Sequence, residues 1–283
     1  MRPVIDLHTH SSVSDGTETP QQLVRAAVTA GISIMALTDH DSTAGWSSAA
    51  EAAQGTGLTV IPGMELSTRQ GSVSVHLLAY LFDPTNPDLV AETARIRTAR
   101  LTRAESIVAR ISADYDLHWE DVVAQTSEGA TVGRPHIADA LVARGMVANR
   151  SAAFAGILHP AGGYYEPIYA PSPLEAVALV RAAGGVPVLA HPATSGRTGS
   201  VPEAELKRLV DAGLFGLEVD HRENTAEGKE QLRAWAQRYG LVMTGASDYH
   251  GAGKPNRLGE NTTTPDTLDQ IITAASGAAP FIG

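Results

Sequence analysis

The stretch Val4-Ile5-Asp6-Leu7-His8-Thr9-His10, followed by Asp15-Gly16, puts two imidazoles one residue apart at the end of an apolar run. If Val4 to Leu7 is a β-strand, side chains two apart point the same way, so His8 and His10 share a face and can grip one ion. Neutral imidazole suits zinc, manganese, iron or nickel; magnesium or calcium alone would favour an all-oxygen shell. Taken alone, a His-x-His pair is equally compatible with hydrogen bonding inside a turn. The rest of the chain separates the two readings.

Six further apolar runs carry or lead into possible ligands. Ile34 to Leu37 leads into Thr38-Asp39-His40-Asp41, and Leu58 to Ile61 into Pro62-Gly63-Met64-Glu65. Val73 to Leu81 carries His76, and Val186 to Ala190 ends in His191-Pro192. Phe215 to Val219 leads into Asp220-His221, and Leu241 to Gly245 into Ser247-Asp248-Tyr249-His250. In a parallel βα barrel the loops after the strands converge on one face, where such folds place reacting groups. Histidines buried by chance in a core would not fall repeatedly at strand exits.

Helical patterns alternate with these runs. Gln21 to Thr29 follows Thr19-Pro20 and stops at Gly31; Pro173 to Ala183, Pro202 to Ala212 and Ala226 to Tyr239 each stop at a glycine before the next apolar run. Proline at the start and glycine past the end is the polarity expected of helices, and the repetition predicts βα units with a mainly parallel sheet. The regularity fails from Asp83 to about Pro171. Helical candidates there span Leu89 to Ala113, Trp119 to Thr126, Arg134 to Ala143 and Ala148 to Ile157, with no convincing strand. The expected organisation is a barrel from residues 1–83 and 172–283, with a helical insertion at 84–171 capping the strand-end face.

With 283 residues, the chain can bury a core that needs no staples. It has no cysteine, which excludes disulfides, thiolate zinc sites and cysteine nucleophiles, so any metal is held by nitrogen and oxygen. A formal net charge of −10 argues against a large basic patch for duplex nucleic acid, while a local arginine group can still take phosphate. There is neither a signal-peptide pattern nor an apolar stretch near membrane-spanning length, so a soluble cytoplasmic protein is expected.

These motifs resemble the PHP family, the polymerase and histidinol phosphatase superfamily of metal-dependent phosphoesterases. The matching residues are Asp6-Leu-His8-Thr-His10 with Asp15-Gly16, Leu37-Thr38-Asp39-His40-Asp41, Gly63-Met-Glu65, His76, Ala190-His191-Pro192, Gly216-Leu-Glu218-Val and Ser247-Asp248-Tyr-His250. The resemblance implies an α/β fold, a distorted seven-stranded (β/α)7 barrel, holding up to three divalent metals. In it His8, His10, Glu65 and Asp248 would hold the first metal. Glu65 would bridge to a second, held by His76 and His191, and Asp15, His40 and His250 would hold the third. Manganese is the first expectation, with iron and zinc as alternatives, since all three tolerate mixed nitrogen and oxygen shells.

The implied chemistry is hydrolysis of a phosphate ester by a metal-bridging hydroxide, with Asp248 a ligand and possible proton acceptor. The leaving-group acid is open between His221 and a metal-bound water. Arg97, Arg100 and Arg103, three apart at about 100° per residue, fall on one side of the long helix. The insertion-bearing subgroup of the family uses arginines to hold a nucleotide phosphate, which brings forward Arg100 and Arg103; Gly133-Arg134-Pro135-His136 is a second match to that subgroup. Arg97, Arg100, Arg103, Arg134 and His136 are therefore the expected substrate-binding residues.

The resemblance favours removal of the 3′-phosphate from a nucleoside 3′,5′-bisphosphate, leaving a 5′-monophosphate such as AMP. Alternatives are 5′-3′ exonucleolytic trimming of short single-stranded RNA, histidinol phosphate hydrolysis, or a non-catalytic PHP module. His118 and His159 match no metal position. Tyr164, Tyr165 and Tyr169 suit either base stacking or loop anchoring. The stretch Asp220-His221-Arg222-Glu223-Asn224 departs from the tyrosine- and serine-rich version common in the subgroup.

Overall fold

The computed structural model describes residues 3–194 and 201–283. Strand β1 (Ile5–Thr9) is followed by α1 (Pro20–Thr29), β2 (Ile34–Leu37), α2 (Trp46–Ala53), β3 (Thr59–Gln70) and β4 (Val73–Tyr80). The insertion comes next: α3 (Pro87–Ile111), α4 (Trp119–Val123), α5 (Arg134–Ala143) and α6 (Arg150–Ala155). The chain then returns through α7 (Pro173–Ala182), β5 (Val186–Ala190), α8 (Glu203–Asp211), β6 (Gly216–Asp220), α9 (Ala226–Tyr239) and β7 (Val242–Gly245). It ends in α10 (Pro265–Ala274) and the short β8 (Phe281–Ile282).

Local chemistry sets these boundaries. At α1 the Thr19 hydroxyl accepts from Gln22 N while Gln22 Oε1 accepts from Thr19 N, a reciprocal cap that satisfies two helix-end donors ahead of Pro20. Ser172 and Glu175 repeat the device at α7. Among the helices not anticipated, α2 is held by Trp46, whose indole Nε1 donates to the Gly63 carbonyl at 2.9 Å.

Strands β1 to β7 adjoin in chain order, and a parallel bridge between Thr9 and Tyr249 brings the ends together into a nearly closed barrel. The mainly parallel expectation needs one correction. β4 runs antiparallel to both β3 and β5, and β8 pairs antiparallel with β3, whereas the remaining neighbours are parallel. The cause is a hairpin: β3 continues well past Ile61 to Gln70, turns at Gly71 with φ +59°, and returns as β4. Because β4 is inverted, the end it presents at the strand-end face is its beginning. That is why His76 lies inside a strand, paired with Ser67 on one side and Ala190 on the other.

The helices of the insertion share an apolar interior in which Ile107, Ile111, Leu117, Ile137 and Leu141 are buried. Each such side chain contributes about 1.5–3 kcal/mol relative to exposure. Helix α3 serves two masters: Leu89 and Ile96 pack into the barrel's outer core, while Ala104, Ile107, Val108 and Ile111 belong to the cap. The shared helix joins the two apolar clusters, and its Arg100 reaches Asp41 in the loop after β2. Among the described residues no helix is long and apolar enough to cross a membrane.

Candidate metal centre

Nine nitrogen- and oxygen-bearing side chains converge at the strand ends, and Glu65 lies at their middle. Its Oε2 is 3.3 Å from His8 Nε2, 3.2 Å from His10 Nε2 and 3.3 Å from His40 Nδ1. Its Oε1 is 2.7 Å from His76 Nδ1 and 3.1 Å from His191 Nε2. The carboxylate therefore shows one oxygen to each of two ligand sets, which is the disposition a bridging ligand needs. Three groups of potential ligand atoms result: His8, His10, Glu65 and Asp248; His10, Asp15, His40 and His250; and His40, Glu65 and His76. In the last group His40 stands beside His76, and His191 joins through its contact with Glu65.

The spacing tests whether an ion fits. His8 Nε2 and His10 Nε2 are 3.1 Å apart, and both lie 3.3–3.5 Å from Asp248 Oδ1. Ligand atoms at the usual ~2.0–2.2 Å from a tetrahedral ion stand roughly 3.3–3.6 Å from one another. Moreover, His40 Nδ1, Asp248 Oδ1 and His250 Nε2 are buried without a hydrogen-bond partner among the described residues. A buried polar atom left so costs about 1–3 kcal/mol. Cations in these groups would satisfy all three, so the residues fit a cluster of divalent ions.

A surrounding set of hydrogen bonds orients these potential ligands. His8 Nδ1 donates to Glu218 Oε1 at 2.9 Å, which leaves Nε2 as the free lone pair; Glu218 Oε2 also accepts from His191 N at 2.8 Å. His250 Nδ1 donates to the Asp248 carbonyl at 2.8 Å, turning Nε2 toward Asp15 Oδ1 at 3.1 Å. Asp6 accepts from Ser247 N and Gly259 N, fixing the loop that carries Asp248. Asp39 takes Ser11 N, Ser11 Oγ and Ser14 Oγ, and Asp41 takes Ser67 N and Oγ. The two carboxylates flanking His40 thus anchor loops. His191, Asp248 and Asp41 all hold positive φ, at 30°, 54° and 53°, a strained backbone concentrated where the ligands are presented.

Electrostatics follow the packing. Burial would raise the Glu65 carboxyl, but His40, His76 and His8 hold it well below the usual carboxylate range. Asp15 behaves alike under His250 and His40. Burial would also raise Asp248, yet Lys254, whose Nζ donates to Oδ2 at 2.7 Å, and His250 keep it well below that range. For His10, burial pulls downward and the Asp248 and Glu65 carboxylates beside Nε2 pull upward, with the imidazole pushed up to about 9.

Above the ligands lies a cavity of about 240 Å³. Asp15, His40 and His76 line it, together with five cations: Arg69, Arg100, Arg103, Arg134 and Lys254. Arg103 donates from Nε to the Glu166 carbonyl at 2.7 Å, and its guanidinium lies 5.1 Å from the Tyr165 ring, with that of Arg134 at 5.5 Å. Arg100 is bound to Asp41 and Ser67. Arg97 faces elsewhere, donating to the Asp41 carbonyl at 2.8 Å and lining a separate surface groove. His136 accepts from Gly133 N on Nδ1 and lines a larger cavity, about 520 Å³, together with Ser12, Gly16 and Thr17. His221 is wholly buried, with Nε2 3.5 Å from Asp248 Oδ2. Tyr164 and Tyr169 are loop anchors, bonded to Asp114 and Glu92.

Sequence reasoning did not single out Lys254, Arg69 or the aiming role of Glu218. Glu218 was visible as a carboxylate on a strand; the two cations sit in polar segments that read as solvated surface.

A model of the PHP domain matches residues 6–138. The chain is 32% identical over 260 residues to the 3′,5′-nucleoside bisphosphate phosphatase of Chromobacterium violaceum, covering 89% of each protein. It is 31% identical to the 5′-3′ exoribonuclease of Haemophilus influenzae, over 94% of this chain and 96% of that one. The fold superposes with a TM-score of 0.94 on the crystal structure of a Bifidobacterium adolescentis protein described as a metal-dependent phosphoesterase, at 44% identity and 98% coverage of both chains.

Proposed function

We propose that this chain, which belongs to the PHP family of metal-dependent phosphoesterases, removes the 3′-phosphate of a nucleoside 3′,5′-bisphosphate and leaves the 5′-monophosphate. The observation that carries the reading is the cationic wall over the ligand groups. A phosphate to be cleaved belongs at the carboxylates and imidazoles, while a second phosphate on the same molecule gives Arg103 and Arg134 an anion to hold. The Tyr165 ring lies 5.1 and 5.5 Å from those guanidinium groups and packs against the same wall. The relative from Chromobacterium violaceum, similar over most of both chains, supports the same substrate.

Divalent ions, with manganese the first choice, would be held by His8, His10, Asp15, His40, Glu65, His76, His191, Asp248 and His250, and would supply an acidified water and positive charge for the phosphoryl oxygens. The chain's own residues do the rest. Glu65 stays ionised and keeps two ligand sets in register. Asp248, ionised beside Lys254, is suited to holding charge and is a weak proton acceptor; a proton taken at Oδ2 faces His221 Nε2. The Lys254 ammonium, at the same carboxylate, adds positive charge to the cavity lining. Arg103 and Arg134 orient the substrate through the phosphate that stays.

One observation favours a second reading, 5′-3′ trimming of short RNA. A further cavity of about 340 Å³ shares Asp15, Pro135, Phe154 and Lys254 with the cationic one, and gives room for a second ester substituent. Phosphate and nucleotide release from a panel of 3′,5′-bisphosphates, 5′-monophosphates, histidinol phosphate and 5′-phosphorylated oligoribonucleotides distinguishes the two. The bisphosphate should show the highest kcat/KM. A higher value for the oligonucleotide would overturn the first reading in favour of the second.

A further inference from the structure

Arg150 opens α6 on the cap, yet its guanidinium reaches the barrel. Nε and Nη2 grip the two oxygens of Asp139 at 2.5 Å each, and Nη1 donates to the main-chain carbonyl of Asp15 at 2.8 Å. Asp139 lies on α5, the helix that begins with Arg134. The Asp15 side chain faces His250 Nε2 and His40 Nε2 at 3.1 and 3.8 Å. From the other side, Gly253, three residues past His250, packs against Arg150 so closely that a methyl group there would overlap Nη1. One guanidinium therefore touches both loops that bear Asp15 and His250 and ties them to the cap. Only arginine offers a rigid planar fork that can hold a carboxylate with two bonds and still spend a third on a carbonyl.

We propose that Arg150, oriented by Asp139, is a positioning residue for the Asp15, His40 and His250 end of the metal centre. It fixes the Asp15 backbone so that the carboxylate meets both imidazoles. The effect is selective, because the ligand group built from His8, Glu65 and Asp248 is aimed by Glu218 and Asp6 instead. This inference rests on reading these side chains as metal ligands.

The test titrates manganese into the metal-stripped wild type, Arg150→Met, Asp139→Asn and Gly253→Ala, reading bound metal by elemental analysis after dialysis and phosphatase activity at each concentration. Gly253→Ala displaces the guanidinium tip without removing any charge, and the clash falls on a flexible side-chain end, so the fold persists even if Arg150→Met does not fold. All three variants should lose affinity at one class of site by about 10- to 100-fold, keep the others within twofold, and regain activity when manganese is raised. Equal loss at every site, unchanged affinities, or an effect confined to Arg150→Met would overturn the proposal. A wild type that binds no divalent ion would instead sink the metal reading on which it stands.

Discussion

Arg100 Nε lies 2.8 Å from Asp41 Oδ2, and the same guanidinium donates to Ser67 Oγ at 2.6 Å. A cap helix is thereby joined to the loop after β2 and to the β3 strand through a carboxylate that is wholly buried. Truncating Arg100 to alanine removes the cation from that carboxylate and leaves it the Ser67 N–H and hydroxyl, and breaking a buried ion pair in this way typically costs about 3–5 kcal/mol. Thermal unfolding of Arg100→Ala should show a clear fall in Tm, roughly 10 °C. A shift of a degree or two would mean that Asp41 finds other partners and that the Arg100 pair adds little.

Glu65→Gln should be among the most damaging single substitutions. Both carboxylate oxygens face ligand imidazoles, and an amide removes the charge while offering one donor where two acceptors are needed. Elemental analysis should find less divalent metal than in the wild type, and activity should fall by several orders of magnitude. Retention of full metal content would refute the bridging role.

Arg103→Ala separates recognition from chemistry. A charge-assisted contact with the uncleaved phosphate contributes about 1.5–3 kcal/mol, so kcat/KM for a 3′,5′-bisphosphate should drop by roughly one to two orders of magnitude. A generic chromogenic phosphate ester should be nearly unaffected. Equal losses on both substrates would show that Arg103 serves the fold through the Glu166 carbonyl.

Metal affinity should climb with pH. His10 is pushed up to about 9 from the ordinary 6.5, so at pH 7 it carries a proton that an incoming ion must displace. The sign is fixed by the raised value: in the metal-free protein this ionisation stabilises the fold fully below about pH 6.5 and ceases to do so as pH rises through 9. Titration calorimetry in buffers of different ionisation enthalpy at pH 7 should register proton release on manganese binding, diminishing toward pH 9. An affinity independent of pH would contradict it.

Much of this was written in the one-dimensional pattern, for identifiable reasons. Most barrel strands are apolar runs that lead into or carry an ionisable residue, so strand and potential ligand were read together, from His8 to His250. Direction was not legible. Val73 to Tyr80 reads the same whichever way it runs, and the continuation of β3 through Glu65, Ser67 and Thr68 is too polar to look like a strand. Helix α2 was hidden because Ser47 and Ser48 interrupt any apolar periodicity. Asp39 and Asp41 cannot be told from metal ligands by composition, since the same carboxylate can take an ion or two backbone N–H groups. Arg69 and Lys254 could be recognised as site residues only once the fold had folded them inward.

The inverted fourth strand also dictates where the chain tolerates changes in length. Glu65 and His76 stand on opposite arms of a single hairpin, and the ladder between them, closed by Gly71 and Ser72, works as a ruler. Adding or deleting one residue within either arm would slip the register and send the His76 ring to the opposite face of the sheet. That segment can accept exchanges of residue but not insertions or deletions, whereas the loops joining the cap helices are free to lengthen and reshape the entrance. The spacing of the Glu65 and His76 side chains is thus set within one barrel hairpin, apart from the loops that join the cap helices.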